Sequence, residues 1–382
     1  MRTPIFTVLL LALAAFSLFG QGDIVNTLGS GGTFSIEYGL DTFLQLDQAD
    51  GHLDLFRSLT LPVTTSSSLG IIFKGSNRFM HDFKAASVSG QNTFLGELAG
   101  NFTMSGTSDQ ASQNSAVGYA TLTALTTGKR NSAFGYRTLY TNNSGQSNSG
   151  YGDEALHKNT SGSSNAGFGG DVLFNNTTGS YNSAFGVLAL HSITTGSDHN
   201  TAIGYNAGYN LTNGSNNSFI GHNAQPSAAT VSDEITLGNS SVTVLRCYAP
   251  GGLTTVSDSR DKRNIKDVPV GLNFLMSVKP RVFNWDRREW YGNEKADGSK
   301  MKKEPTVGFI AQELDEAQTE ANAEWLNLVL KSNPEKLEAT PGNLLPIMVK
   351  AIQELKKEND ALQERIAKLE NPSVSHAAKS EQ

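Results

Sequence analysis

Asn131-Ser132-Ala133-Phe134-Gly135 returns seventeen residues later as Asn148-Ser149-Gly150-Tyr151-Gly152, and again as Asn165-Ala166-Gly167-Phe168-Gly169. The element Asn-small-x-apolar-Gly begins at Asn92, Asn114, Asn131, Asn148, Asn165, Asn182, Asn200 and Asn217, at steps of 22, 17, 17, 17, 17, 18 and 17 residues. Three residues after each Asn stands Leu95, Val117, Phe134, Tyr151, Phe168, Phe185, Ile203 or Ile220, and glycine follows every time. Five central copies add a leucine at offset eight: Leu122, Leu139, Leu156, Leu173 and Leu190. A fixed phase over eight copies marks a stacked repeat. A 17-residue unit with glycine corners forms one coil of a β-solenoid, its short apolar stretch a strand and its glycine a positive-φ corner. At ~4.8 Å per stacked strand, eight coils make a rod of roughly 38 Å. One apolar side chain and one leucine per coil is a small core, so coils from several chains, most simply three, are expected to share one.

Composition draws the next boundary. The chain has 382 residues with 30 Lys+Arg against 36 Asp+Glu, and an acidic balance argues against nucleic-acid binding. From Ser257 onward 41 of 126 residues are charged, against 25 of the 256 before it, and 33 of the 38 glycines precede Ser257. The reading is a mainly β chain with an α+β C-terminal module. Cys247 is the sole cysteine, which removes internal disulfides and cysteine-rich zinc sites; no cofactor or metal motif is present.

At the N-terminus, Arg2 precedes an apolar run from Ile5 to Phe19 that is short for a bilayer span, and Gly20 follows. This predicts a signal peptide over 1–20, a secreted or cell-surface protein and no stable membrane span after cleavage. Residues 21–90 are expected to cap the rod, with short strands at Phe43–Leu46 and Leu69–Lys74. The array occupies 91–225, and a β neck covers 226–256.

At the far end, Leu345, Met348, Ile352, Leu355, Asn359, Leu362, Ile366 and Leu369 alternate spacings of three and four, an a/d heptad seam starting near a candidate N-cap at Asn343. A coiled coil over 343–370 and a disordered tail over 371–382 follow from this. The heptads leave dimer and trimer open.

The array resembles the β-roll heads of trimeric autotransporter adhesins, Asn200-Thr201-Ala202-Ile203-Gly204 most closely, although its period is longer than usual for them. The stretch from Val256-Ser257-Asp258-Ser259-Arg260-Asp261-Lys262-Arg263-Asn264-Ile265 resembles the endosialidase-type intramolecular chaperone auto-processing domain. So do Pro280–Trp285, Val307–Leu314 with Gln312 and Glu313, and Leu344-Leu345-Pro346 leading to Glu354. The resemblance implies a domain at 257–342 that trimerises, assists folding of the fibre before it and cuts itself at Val256–Ser257. It makes Ser257 the nucleophile and Lys262 the general base, with Asp258, Asp261, Asn264, Gln312 and Glu313 as supporting motif positions. The residues independently favour lysine as base, because no histidine lies between Ser257 and the end of the heptads. An unperturbed lysine holds its proton to about pH 10.4, so a lysine base needs a desolvated setting. Five residues span ~140° around a helix, so a turn must fold the lysine back, with Asp258 or Ser259 as its cap.

Three functional readings follow. The first is an exported, adhesin-like homotrimeric fibre, tail-fibre-like in plan, with a self-cleaving chaperone and a candidate cell-surface or glycan ligand along the array. The second is the same fibre with an uncleaved trimer clamp. The third is a glycan-cleaving fibre, which needs paired carboxylates; Glu97, Asp109, Asp153, Glu154, Asp171 and Asp198 supply no recurring pair.

Overall fold

The computed structural model describes residues 33–38, 41–47, 53–55, 61–242, 244–245, 257–292 and 295–370. The expected signal peptide, the tail, Cys247 and Val256 lie outside the described residues.

Two compact units meet in sequence between Pro62 and Val63. In the first, β1 (Thr33–Tyr38), β2 (Asp41–Asp47) and β3 (Leu53–Leu55) form an antiparallel sheet in that order. In the second, β4 (Ile72–Lys74) and β5 (Asn77–His81) pair antiparallel and lead into the solenoid sheet. The region expected to be one cap over 21–90 is therefore divided between the units, and only β4 and β5 end the solenoid sheet. Where β5 meets the first coil, His81 is buried at 4.8 Å from Phe94 and 4.9 Å from Phe102, ring centre to ring centre. Its Nε2 donates to Ala99 O at 2.9 Å, and its Nδ1 accepts from the Phe83 N–H at 3.3 Å.

Nine three-residue strands then stack in parallel: β6 (Thr93–Leu95), β7 (Ser115–Val117), β8 (Ser132–Phe134), β9 (Ser149–Tyr151), β10 (Ala166–Phe168), β11 (Ser183–Phe185), β12 (Thr201–Ile203), β13 (Ser218–Ile220) and β14 (Ile235–Leu237). The ninth strand corrects the expected neck at 226–256, because the solenoid runs through Leu237. Glu234 stands where the other copies carry Asn. Its N–H still donates to Asn217 Oδ1 at 3.0 Å, while its carboxylate accepts from the Ser227 N–H at 2.9 Å and Thr236 Oγ1 at 2.8 Å.

Side chains alternate along each strand, which sets what lies inside. The Asn and the residue two places on point inward; Ala116, Ala133, Ala184 and Ala202 are fully buried. The five offset-eight leucines are fully buried as well. The offset-three residues point outward: Tyr151, Phe185, Ile203 and Ile220 are 36–46% exposed. Each coil thus closes its own core within one chain, a correction to the expectation that the offset-three residues and the leucines feed one core shared between chains.

Asparagine makes this closure work. From Asn114 to Asn217, each Asn donates its backbone N–H to the preceding Asn Oδ1 at 2.9–3.1 Å, and its Nδ2 to the same oxygen at 2.9–3.2 Å. The same Nδ2 reaches across the coil to a carbonyl at the far corner at 2.7–3.1 Å, Gly162 O for Asn148 and Gly214 O for Asn200 among them. Buried backbone groups need such partners, and one amide serves two of them per coil, as Asn200 does for Gly214 O and the Asn217 N–H. A shorter ladder of Asn142, Asn159 and Asn176 runs parallel to it, with Asn159 Nδ2 on Asn142 Oδ1 at 2.7 Å. Glycine takes the expected corner, with φ between +119° and +143° from Gly96 to Gly221. A Cβ on Gly118 would lie 2.1 Å from Gly135 O in the next coil. The five leucines also sit at positive φ, +48° to +54°, a strained geometry held by their complete burial.

The C-terminal module contains α1 (Leu272–Ser277), the pair β15 (Arg281–Phe283) and β16 (Thr306–Gly308), α2 (Ala311–Glu320), the pair β17 (Val329–Leu330) and β18 (Glu338–Ala339), and α3 (Leu345–Glu370). Its core joins Phe274, Leu314, Leu326, Leu328, Leu344 and Ile347. Ile347 and Ala351 bury one face of the start of α3 in the module, beside Leu344 of the preceding turn, so the expected division at 342/343 cuts through a continuous core. Asn343 does not cap α3. It lies in the 3-10 turn Pro341–Leu344, where its Nδ2 donates to Leu326 O at 2.9 Å. The a/d residues of α3 face solvent in the single chain, from Met348 at 45% exposed to Leu369 at 78%. No helix among the described residues is long and apolar enough to cross a membrane.

Candidate functional site

The C-terminal module begins with a turn that returns on itself. Asp258 caps the 3-10 turn Ser259–Asp261, its Oδ1 accepting from the Arg260 N–H at 2.8 Å. The Arg260 guanidinium then folds onto the same carboxylate, with Nε at 3.0 Å and Nη2 at 2.6 Å from Oδ2. These hydrogen bonds, the side-chain ones foremost, hold the Asp258 carboxyl below its usual range and raise Arg260. The chain leaves the turn extended at Lys262, whose N–H bonds Ser259 O at 3.2 Å. Arg263 Nη1 donates to Arg260 O and Lys262 O, both at 2.9 Å.

The turn brings Lys262 Nζ back to the residue that precedes it. Nζ hydrogen-bonds Ser257 Oγ and also lies 3.2 Å from Ser257 O. The five-residue spacing that a continuous helix would separate is thereby closed. Both side chains are exposed. Chemically, a hydroxyl and an amine in direct contact form a pair across which a proton can move.

The remaining positions singled out from sequence fall elsewhere. Asp261 lies in the turn and is exposed, and Asn264 takes φ +54°, the left-handed region that Asn tolerates, redirecting the chain after Arg263. Gln312 and Glu313 begin α2. Glu313 receives a two-pronged bond from Arg281, Nε at 2.8 Å and Nη2 at 2.6 Å, which keeps its carboxyl below the usual range. It ties α2 to β15. Among the described residues, no hydrogen bond or ion pair joins Gln312 or Glu313 to Ser257 or Lys262, so the motif divides into a hydroxyl–amine pair and a structural clasp.

One structural role was not foreseen. Glu354 Oε2 accepts the Leu272 N–H at 2.7 Å and so caps α1 from another element. A Cβ on Gly271 would lie 2.3 Å from that oxygen, which explains the glycine. Glu354 and Glu320 also line an open groove of about 450 Å³ with Phe274 and Ser277. The spacing of the heptads hides this role, because only tertiary contact shows which α1 donor is free.

In the array, Asp109 is bound by Lys129 at 2.7 Å and Arg130 at 3.2 Å, and Glu154 by Arg137 at 3.1 Å. Among the described residues no three His, Cys, Asp or Glu side chains gather as a metal site would require.

No curated protein and no solved structure matches the chain. The stretch that carries the Ser257–Lys262 turn, β15, β16 and α2 does match a family model: residues 257–322 are similar to the chaperone of endosialidase family.

Proposed function

We propose that this protein is an exported, adhesin-like trimeric fibre whose C-terminal module assists its assembly and then cuts the chain once at Val256–Ser257. The observation that carries the reading is the contact of Lys262 Nζ with Ser257 Oγ at the first residue of the family match. In the reaction, neutral Lys262 takes the Ser257 hydroxyl proton as Oγ adds to the Val256 carbonyl carbon. The Val256–Ser257 C–N bond breaks and the freed amine receives the proton from Lys262, leaving an ester between Val256 and Oγ. Water hydrolyses the ester, producing a fibre that ends in the Val256 carboxylate and a 126-residue fragment that begins at Ser257.

Desolvation of the lysine is the condition this chemistry sets. Since Ser257 and Lys262 are exposed in one chain, apposed copies must supply it, and cleavage then reports completed assembly. The same exposure favours the second reading, a trimer clamp that stays attached. A glycan-cleaving fibre is disfavoured, because Asp109 and Glu154 are held in separate ion pairs.

Intact-mass measurement decides between the first two. The wild type should yield the two fragments, while Ser257→Ala and Lys262→Arg remain whole, the latter because guanidinium keeps its proton. Cutting by Lys262→Arg would rule out lysine as base, and an intact wild-type trimer would leave the clamp.

A further inference from the structure

Tyr181 stands on the outside of the solenoid and is 57% exposed, more than any other tyrosine or phenylalanine of the array. It belongs to the column formed by the residue before each motif Asn, which takes left-handed backbone angles: +56° at Ser147, +58° at Ser164, +60° at Tyr181, +59° at His199 and +60° at Asn216. Asparagine tolerates that region, whereas a bulky ring there is an outlier. The leucines at positive φ are held by complete burial. Nothing comparable holds Tyr181, so closure of its coil does not account for it, and an outlier of this kind points to use.

The ring lies flat against His199 of the next coil, with 4.8 Å between centres and 14° from parallel. That separation is about one step of the stack, so the two rings are layered along the rod and the second face of Tyr181 looks back along its own column. There it meets Ser164 and then Ser147, both exposed, before reaching Arg130 three steps away at about 14 Å. The other outward tyrosine stacks, Tyr119 on Tyr136 and Tyr205 on His222, end against longer side chains. Glu97 stands before Tyr119, Asp153 after Tyr136 and Val187 before Tyr205.

We infer that the open face of Tyr181, with the serine hydroxyls beside it, is a binding site for a hexopyranose unit of a surface glycan. The inference rests on the adhesin-like reading above and gives it a ligand class and a place.

The chemistry of the notch selects this occupant. The face of an aromatic ring carries negative charge density and attracts C–H groups lying over it. At a carbon contact distance of ~3.5–4 Å, a flat ring on Tyr181 lies over Ser164, where a further member of the stack would stand. Such an occupant needs C–H groups on its flat side and hydroxyls round its rim to meet Ser164 and Ser147. A pyranose has both. An apolar peptide side chain would cover the ring and leave the hydroxyls unused, and a lipid surface needs an apolar patch wider than one ring. A phosphate or carboxylate finds the Arg130 guanidinium already engaged, by Asp109 at 3.2 Å and Gln113 at 3.1 Å.

Saturation-transfer NMR on the full chain tests this, with methyl β-D-galactopyranoside and methyl β-D-glucopyranoside as probes and mannitol as a hydroxyl-rich control without a ring. The wild type should transfer saturation to the C–H groups of a glycoside and not to mannitol. Tyr181→Ala should weaken binding about tenfold, the factor that a loss of ~1.4 kcal/mol produces, while Tyr181→Phe keeps it. Ser164→Tyr should block the notch, because its backbone angle matches that of Tyr181 and the added ring continues the stack in the sugar's place. Binding that neither Tyr181→Ala nor Ser164→Tyr weakens, equal transfer to mannitol, or no transfer to either glycoside would overturn the site. If the wild type binds neither glycoside yet still yields the two fragments, the sugar site falls alone and the self-cleaving fibre stands.

Discussion

Replacing Asn200 by alanine isolates what the asparagine ladder contributes. Asn200 is fully buried; its Nδ2 donates to Asn182 Oδ1 at 3.1 Å and to Gly214 O at 2.8 Å, and its Oδ1 accepts from the Asn217 N–H at 3.1 Å and Asn217 Nδ2 at 2.9 Å. Asn182 Oδ1 keeps the Asn200 backbone N–H at 3.0 Å, and Asn217 Nδ2 keeps Val231 O at 2.9 Å. Two groups lose their partner altogether, the buried Gly214 carbonyl and the buried Asn217 N–H. At about 1–3 kcal/mol for each orphaned group, the loss is about 2–6 kcal/mol. That is a large share of a domain's usual stability of about 5–15 kcal/mol. Urea unfolding followed by circular dichroism, with exposed Asn213→Ala as reference, gives the difference. Asn213→Ala should stay within about 0.5 kcal/mol of wild type, as surface changes do. If Asn200→Ala unfolds within the same margin, the ladder does not close the coils and the argument for asparagine fails.

Other outcomes follow from the corner glycines and from His81. Gly169→Ala should abolish soluble expression or lower the melting temperature steeply, since its Cβ would lie 2.6 Å from Gly186 backbone atoms at φ +143°, whereas Gly170→Ala, with nothing within 4 Å, should melt like wild type. Burial, with the Arg78 charge adding to it against the Ala99 bond and Asp82, lowers His81 from 6.5 to about 4. Between those values the unfolded chain binds a proton that the folded chain refuses. Stability is therefore full above about pH 6.5 and declines toward pH 4, by up to about 3 kcal/mol. His81→Gln should flatten this dependence in unfolding measured at pH 7 and pH 4.5, and an unchanged slope would remove His81 as its source.

The repeat was legible in the sequence because its phase is strict; which side chains face inward was not read correctly. Hydrophobicity pointed to Phe168 and its equivalents as core. Strand alternation, applied from the Asn, places Asn165 and Gly167 inside and Phe168 outside. The ninth rung escaped because Glu234 replaces the motif Asn while its backbone keeps the ladder bond. Leucine at positive φ leaves no trace in a sequence, since glycine is the residue expected there. At the candidate site, the Asp258 cap and the need for a turn could be read from spacing. Glu354 capping α1 could not, because its partner, the Leu272 N–H, lies 82 residues away.

Helix α3 is anchored at one end only. Ile347 and Ala351 are buried and Glu354 is bonded to Leu272, yet every residue from Leu355 to Glu370 is exposed. Those 16 residues extend about 24 Å past the anchor at ~1.5 Å per residue. As a free peptide, a segment of this length must first form a costly nucleus. Here the anchored turns are that nucleus, so helix grows outward from the module and frays from Glu370. In the proposed trimer the seam would then close like a zip from its fixed end, with Met348 and Ile352 setting the alignment before Asn359 is reached.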